Sequence, residues 1–199
     1  MATVSTRAGV GRPVVTSHAE IERVAFRLFS ESGFAGTTLD DIALAAGIGR
    51  RTLLRYYRSK NDIPWGRFDD TLDGFRDILR SFDDHPLHEA VHLAVIEFNR
   101  FPPEAMAEHR ARMQLILTTP ELQAHSVLRY ADWRRVIAEY VAERTGSGPD
   151  DLLPQTASHV ALSLSMAGYG EWLADPAEDL PTVLERALET LHAYLTATR

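Results

Sequence analysis

The stretch Gly33–Lys60, GFAGTTLDDIALAAGIGRRTLLRYYRSK, decides the fold. Thr38, followed three residues later by Asp41, caps the start of a short helix that runs through Ala46 and is broken by Gly47. Ile48 follows, and a second short helix is expected over Arg50–Tyr57. Ala43 is small where two helices would approach and Gly47 suits a tight turn, while Ile42, Ile48 and Leu53 would pin the pair together. This is a helix-turn-helix pattern. A plain helical hairpin would use the same apolar spacing, and the position of the basic residues separates the two. Arg50, Arg51 and Thr52 fall in the first turn of the second helix, the part of such a motif that enters the major groove of DNA.

Charge gathers in the same place. Ala46–Lys60 holds five basic residues and no acid, in a chain of net charge -7. Through Lys60 there are nine Lys/Arg against five acids, a net +4, which leaves -11 for the remainder. Such asymmetry suits a small polyanion-facing module attached to a body with another task. With 199 residues and 45% hydrophobic content, the chain has ample material for a core. It has no cysteine, so disulfides, thiol catalysis and cysteine-based metal sites are excluded. The first sixteen residues lack an apolar signal region, and Val160–Leu173 is interrupted by Ser, Gly and Glu171, so a soluble cytoplasmic protein with no membrane partner is expected.

Upstream, Ser17 and Glu20 form another capping signature, and Ile21, Val24, Ala25, Leu28 and Phe29 keep the spacing of one buried helical face up to Gly33, a candidate left-handed terminator. Over Ser17–Lys60 the chain resembles the amino-terminal DNA-binding domain of TetR-family transcriptional regulators. Gly33 and Phe34 stand before the threonine pair as in the family, and Lys60 stands where the family carries a lysine after its third helix. The resemblance implies that Thr37 and Thr38 hold a backbone phosphate at the start of helix two. Arg50, Arg51 and Thr52 would reach bases, and Tyr56 and Lys60 would position the backbone, with Arg55 on the same helix. Two positions depart from the pattern: Gly49 replaces the usual serine and Leu54 the usual aromatic. Leucine donates no hydrogen bond to phosphate, so Leu54 is left out of the contact set. The run through Lys60, Asn61, Pro64, Trp65, Gly66, Phe68 and Asp69 resembles, more narrowly, the regulators associated with mycofactocin clusters.

The remaining chain reads as helices. Phe68, Leu72, Phe75, Leu79 and Phe82 space as one face of a connector helix, and Pro86 restarts the chain. A fifth helix carries Leu87, Val91, Ala94, Val95 and Phe98 and stops at Phe101-Pro102-Pro103. A sixth reaches Leu117, a seventh runs from Pro120 to the TGSGPD loop, and the last two cover about 153–173 and 181–197. The expectation is an all-α protein of about nine helices: a flexible arm over 1–15, a three-helix DNA-binding domain over 16–60, and a helical ligand-binding and dimerisation bundle over 61–199. Helix eight is apolar on more than one face, Leu184, Leu188, Leu191 and Leu195 form a second stripe, and Ala161, Ser165 and Gly168 allow close approach. A homodimer through helices eight and nine follows, with two heads reading the half-sites of a pseudo-palindromic operator.

His88-Glu89-Ala90-Val91-His92 matches H-E-x-x-H, the zinc-hydrolase signature, but no convincing third ligand follows downstream. No phosphate-binding glycine loop or nucleophile elbow occurs. No enzyme, cofactor or metal is therefore expected. The family resemblance implies a repressor released from its operator by a hydrophobic effector, and the narrower one implies a long-chain acyl-coenzyme A. Candidate lining residues are Trp65, Phe68, Phe98, Met106, Met113, Leu117, Trp133, Met166 and Tyr169. Arg110, Arg112, Arg129, Arg134 and Arg135 could gather at the mouth for the coenzyme's phosphates. A neutral apolar inducer of an efflux or metabolic regulator is the alternative.

Overall fold

The computed structural model describes residues 17–197, so the arm expected over 1–15 lies outside the described residues. Nine α-helices and one short 3-10 helix make up the architecture among them. They divide into two compact units, one ending at Gly66 and the other beginning at Arg67.

In the first unit, α1 (His18–Gly36) starts at Ser17, whose hydroxyl accepts the Glu20 N–H at 3.2 Å. Only half of the expected reciprocal cap forms there, because the Glu20 carboxylate pairs with Arg23 instead. Ile21, Val24, Ala25, Phe29 and Phe34 are buried. Gly33 takes φ 74° and ψ 161°, a positive-φ break that only glycine adopts readily, although it is not the left-handed helical terminator expected. α2 (Leu39–Ala45) carries the complete Thr38–Asp41 capping box. Gly47 turns the chain at φ 67° into α3 (Arg50–Tyr56), and Ile42 and Leu53 are fully buried between the helices.

The unit extends six residues past Lys60. A 3-10 helix over Lys60–Trp65, capped by Ser59 and Asp62, packs on α1 and buries Ile63 and Pro64. Gly66 follows at φ 56°, and a Cβ there would lie 3.1 Å from the Glu22 carboxylate oxygens. Glu22 also accepts the Tyr57 hydroxyl at 2.7 Å, closing the head with a bond between its first and third helices.

The second unit is a bundle of α4 (Phe68–Arg80), α5 (Leu87–Phe98), α6 (Pro103–Thr118), α7 (Pro120–Thr145), α8 (Leu152–Ala174) and α9 (Leu180–Thr196). Its core gathers Leu72, Phe75 and Leu79 of α4 with α5 and with Trp133, Val136, Ile137 and Val141 of α7. Phe75 stacks on Trp133 at 5.4 Å and meets Phe98 at 4.6 Å. Arg144 and Tyr140 of α7 hold the α4–α5 turn: the Tyr140 hydroxyl donates to Asp83 at 2.9 Å and Arg144 donates to the His85 carbonyl at 3.0 Å. Gly146 ends α7 in the left-handed conformation, as the TGSGPD loop requires.

The small residues of α8 are covered by the chain's own packing. Ala161, Ser165 and Gly168 are buried within the chain, and a Cβ at Gly168 would stand 2.8 Å from Leu184 of α9. Gly168 lets α9 settle on α8 of the same protomer, while Ala161 joins the core with α5 and α7. Leu180, Val183 and Leu184 are covered by that packing, whereas Tyr194 and Leu195 at the far end of α9 are 76% and 70% exposed. Leu152, Leu153 and Val160 of α8 are exposed as well.

Candidate nucleic-acid interface and apolar cleft

In the head, α3 presents Arg50, Arg51, Leu54 and Arg55 to solvent and turns Leu53 inward. Arg50 is held by an exposed ion pair with Asp40 of α2 at 2.6 Å. Arg51, Arg55 and Arg58 are exposed, and no partner for them is found among the described residues. Arg58 was counted as charge in the sequence reading but not placed in the contact set. Thr52 is half-buried, its backbone N–H bonding to Gly49. Tyr56 is half-buried edge-on to His18, with ring centroids 4.9 Å apart. The basic groups nearest the start of α3 therefore face outward, Arg50 tethered to Asp40 and Arg51 open to an anion.

Two residues given phosphate roles lie elsewhere. Thr37 is 2% exposed, and its hydroxyl donates to the carbonyls of Gly33 at 2.9 Å and Leu28 at 3.2 Å. The break at Gly33 explains this. The Thr37 N–H bonds to Phe34 instead of reaching back to Gly33, and the side chain takes the carbonyl left open. Lys60 donates its ammonium to the carbonyls of Phe34 at 2.6 Å and Thr37 at 2.8 Å, and lies 4.3 Å from the centre of the Phe34 ring. It ties the end of α1 to the helix that follows α3. Thr38 is exposed, but its hydroxyl already serves Asp41.

Removing the Lys60 tie should therefore act on the head's stability. Lys60→Met is expected to cost about 1.5–3 kcal/mol, the range for charge-assisted hydrogen bonds, read as a lower midpoint in chemical denaturation. Unchanged stability with uniformly weaker DNA binding would return Lys60 to the phosphate role.

In the body, the nine candidate lining residues do not form one wall. Phe68, Phe98 and Trp133 meet around the main core, and Met113 is buried on α6. Met106, Leu117 and Met166 are half-buried, and Trp65 belongs to the first unit. Tyr169 is buried in a polar chain: its hydroxyl donates to Asn99 at 2.6 Å and lies 2.9 Å from His109 Nε2. Because the phenol hydrogen goes to Asn99, His109 donates from Nε2. Burial, reinforced by the Arg112 guanidinium, pushes His109 down to about 4, and burial pushes the Tyr169 phenol up.

His109 is thus neutral when folded and readily protonated when unfolded. Between pH 6.5 and about 4 the unfolded state binds more protons, so stability should fall as pH drops through that window, by up to about 3 kcal/mol from this group. Denaturation midpoints measured from pH 7 to 4 should show a shallower fall in His109→Gln. Identical slopes for the two proteins would remove His109 as the cause.

A cleft of about 550 Å³ opens between α5, α8 and α9, lined by Val91, His92, Ala161, Leu164, Leu188 and Leu191 among others. None of the nine candidates lines it, and neither does any Lys, Arg, Asp or Glu. Its walls are mainly Leu, Val, Ala and His, with Thr156 and Ser165 and no aromatic or Met residue apart from the imidazoles. His88 and His92 of the H-E-x-x-H motif both border the cleft, and burial lowers the pKa of His92. Among the described residues no three ligand-type side chains converge as a metal site would need, so the structure gives the zinc-hydrolase alternative no support.

The five arginines expected at a pocket mouth are already engaged. Arg110 stacks 4.0 Å from the Trp172 ring and donates to its carbonyl, and Arg112 pairs with Glu108. Arg129 pairs with Asp69 at 2.8 Å, Arg135 with Glu139 and Asp150, and Arg134 meets His159. No helix among the described residues is long and apolar enough to cross a membrane.

Comparison with known proteins follows the two-unit division. Residues 21–63 match the family described as bacterial regulatory proteins, tetR family, and residues 85–196 match the MftR C-terminal domain. The chain is 43% identical over 187 residues to the mycofactocin biosynthesis transcriptional regulator MftR of Mycobacterium tuberculosis, covering 94% of each. A TetR-family regulator structure from Syntrophomonas wolfei superposes with a TM-score of 0.63 at 16% identity, covering 92% of this chain and 96% of that one. Thermus thermophilus FadR, a TetR-family repressor solved with lauroyl-CoA, superposes at 0.58 with 22% identity, covering 92% and 97%. These two likenesses establish the fold.

Proposed function

Because the chain belongs to the TetR family of bacterial regulatory proteins and carries an MftR-type C-terminal domain, we propose that it is a transcriptional repressor that releases its operator when a hydrophobic effector binds the body. The observation that carries this reading is the exposed Arg51 and Arg55 on α3, without a partner among the described residues and held outward by a buried Leu53 and a capped α2. On this reading Arg51 grips guanine O6 and N7, and Arg55, Tyr56 and Arg58 supply backbone contacts. Two copies joined through the exposed apolar ends of α8 and α9 would set two heads on half-sites about one DNA turn apart.

The effector acts by population shift, weakening DNA binding by as much as it prefers the DNA-incompetent arrangement. A long-chain acyl-coenzyme A is the first reading. It is supported by the MftR-type domain and by the lauroyl-CoA bound in the similar T. thermophilus fold. Its phosphates would have to displace carboxylates from arginines such as Arg112 and Arg129. A neutral, single-headed apolar molecule is the second reading, favoured by the uncharged cleft between α5, α8 and α9. A mobility shift on DNA flanking the protein's own gene, with scrambled competitor, tests the regulator reading. Adding an acyl-coenzyme A series and matching long-chain alcohols then separates the effectors. Release by the coenzyme A thioesters alone supports the first, release by the alcohols supports the second, and no retained complex under any condition overturns the reading.

A further inference from the structure

We infer that Leu54 is a specificity-determining residue that reads a thymine methyl group in the major groove, an inference that rests on the DNA-binding reading above. On α3, Arg50, Arg51, Leu54 and Arg55 are all exposed, at the i, i+1, i+4, i+5 spacing of one helical face, while Leu53 and Tyr57 are buried on the opposite side. Leu54 lies within that face and is 41% exposed. Its side chain can neither donate nor accept a hydrogen bond, so it gains nothing from phosphate oxygens or from the polar edges of guanine, adenine and cytosine. The apolar feature that a base pair shows in the major groove is the thymine C5 methyl.

Position supports the same partner. Leu54 is three residues beyond Arg51, an advance of about 4.5 Å along the helix axis, close to the ~3.4 Å step between bases on one strand. An arginine on guanine therefore places Leu54 over a neighbouring base step. On that face Leu54 has as neighbours Arg51, for which no protein partner is found among the described residues, and Arg50, which is tethered to Asp40. That leucine cannot bond phosphate leaves open an apolar contact with a base methyl. A second exposed leucine, Leu44 on α2, is 82% exposed and provides a matched control on the other helix of the motif.

The experiment selects duplexes from a random pool with the full-length protein, then measures binding to the best duplex with each thymine replaced singly by deoxyuridine, which removes only the methyl. For the unaltered protein one thymine in each half-site, within a step or two of an enriched guanine, should prove sensitive. The loss should be about fourfold, the ~0.8 kcal/mol of one buried methyl converted at 1.4 kcal/mol per tenfold. Leu54→Ala should bind the thymine duplex more weakly and lose nothing further on deoxyuridine substitution at that position, with its melting temperature confirming the fold. Leu44→Ala should keep the unaltered profile. An enriched site with a flat deoxyuridine profile, or a Leu54→Ala protein that keeps full methyl sensitivity, overturns the assignment while leaving sequence-specific binding intact. A pool that enriches nothing overturns the DNA-binding reading and this inference with it.

Discussion

Arg51→Ala is expected to weaken binding to the preferred duplex by about 2–6 kcal/mol while leaving the fold intact. Each well-formed bidentate contact to guanine contributes about 1–3 kcal/mol, and a two-fold dimer loses it in both half-sites. The side chain is exposed and has no bond to the rest of the described protein, so its removal should leave the free energy of unfolding within about 0.5 kcal/mol of the original. Base preference should blur at the one position per half-site that Arg51 reads, and affinity for scrambled DNA should fall much less. Fluorescence anisotropy on the preferred and scrambled duplexes measures both. Equal losses on the two duplexes would make Arg51 a phosphate contact and leave the reading of guanine to another residue.

Phe75→Ala should be among the most destabilising single changes in the body, at about 3–5 kcal/mol. The ring is fully buried, stacks on Trp133 and packs against Phe98, and these residues join α4, α5 and α7. Truncation removes the transfer energy of the ring and leaves a cavity whose walls belong to three helices, so no single side chain can relax into it. Urea denaturation monitored by tryptophan fluorescence reads the loss through Trp133. A cost under about 1.5 kcal/mol would mean that the core closes around the gap and that the three helices are less firmly coupled than the packing indicates.

Most of the helical framework was legible because its signals are local. Caps such as Ser17 and Thr38–Asp41, breakers such as Gly47 and Pro102-Pro103, and the apolar spacing of α4 and α5 each act within a few residues. The helix over Lys60–Trp65 was missed, although Ser59 and Asp62 form a capping box. Lys60 drew attention as a charge, and Pro64 reads as an interruption. Side-chain direction was harder to see. Thr37 and Lys60 are polar and lie beside the motif, yet the carbonyl left open at Gly33 draws Thr37 inward and the carbonyls of Phe34 and Thr37 draw Lys60. That outcome depends on one backbone conformation and on two segments meeting in space, which spacing along the chain does not record.

The body followed the same rule. The stripes of α8 and α9 indicated burial, but not by what: Gly168 meets Leu184 of its own chain, while Leu164, Leu188 and Leu191 line the cleft and Leu152, Leu153, Tyr194 and Leu195 are exposed. The cleft between α5, α8 and α9 has walls of ordinary core residues, so composition could not distinguish it from packing. In the head, Arg50 and Arg51 are both exposed, and this arrangement gives an acidic chain the basic edge on which the proposed reading of DNA rests.

The most direct test of that claim is a hydroxyl-radical footprint on the DNA flanking the protein's own gene, taken with the unaltered protein and with Arg51→Ala. The account predicts two symmetric protected patches centred about one helical turn, or a whole number of turns, apart, and their loss in the variant at the same protein concentration. Uniform protection along the fragment, or a footprint that the variant reproduces unchanged, would contradict it.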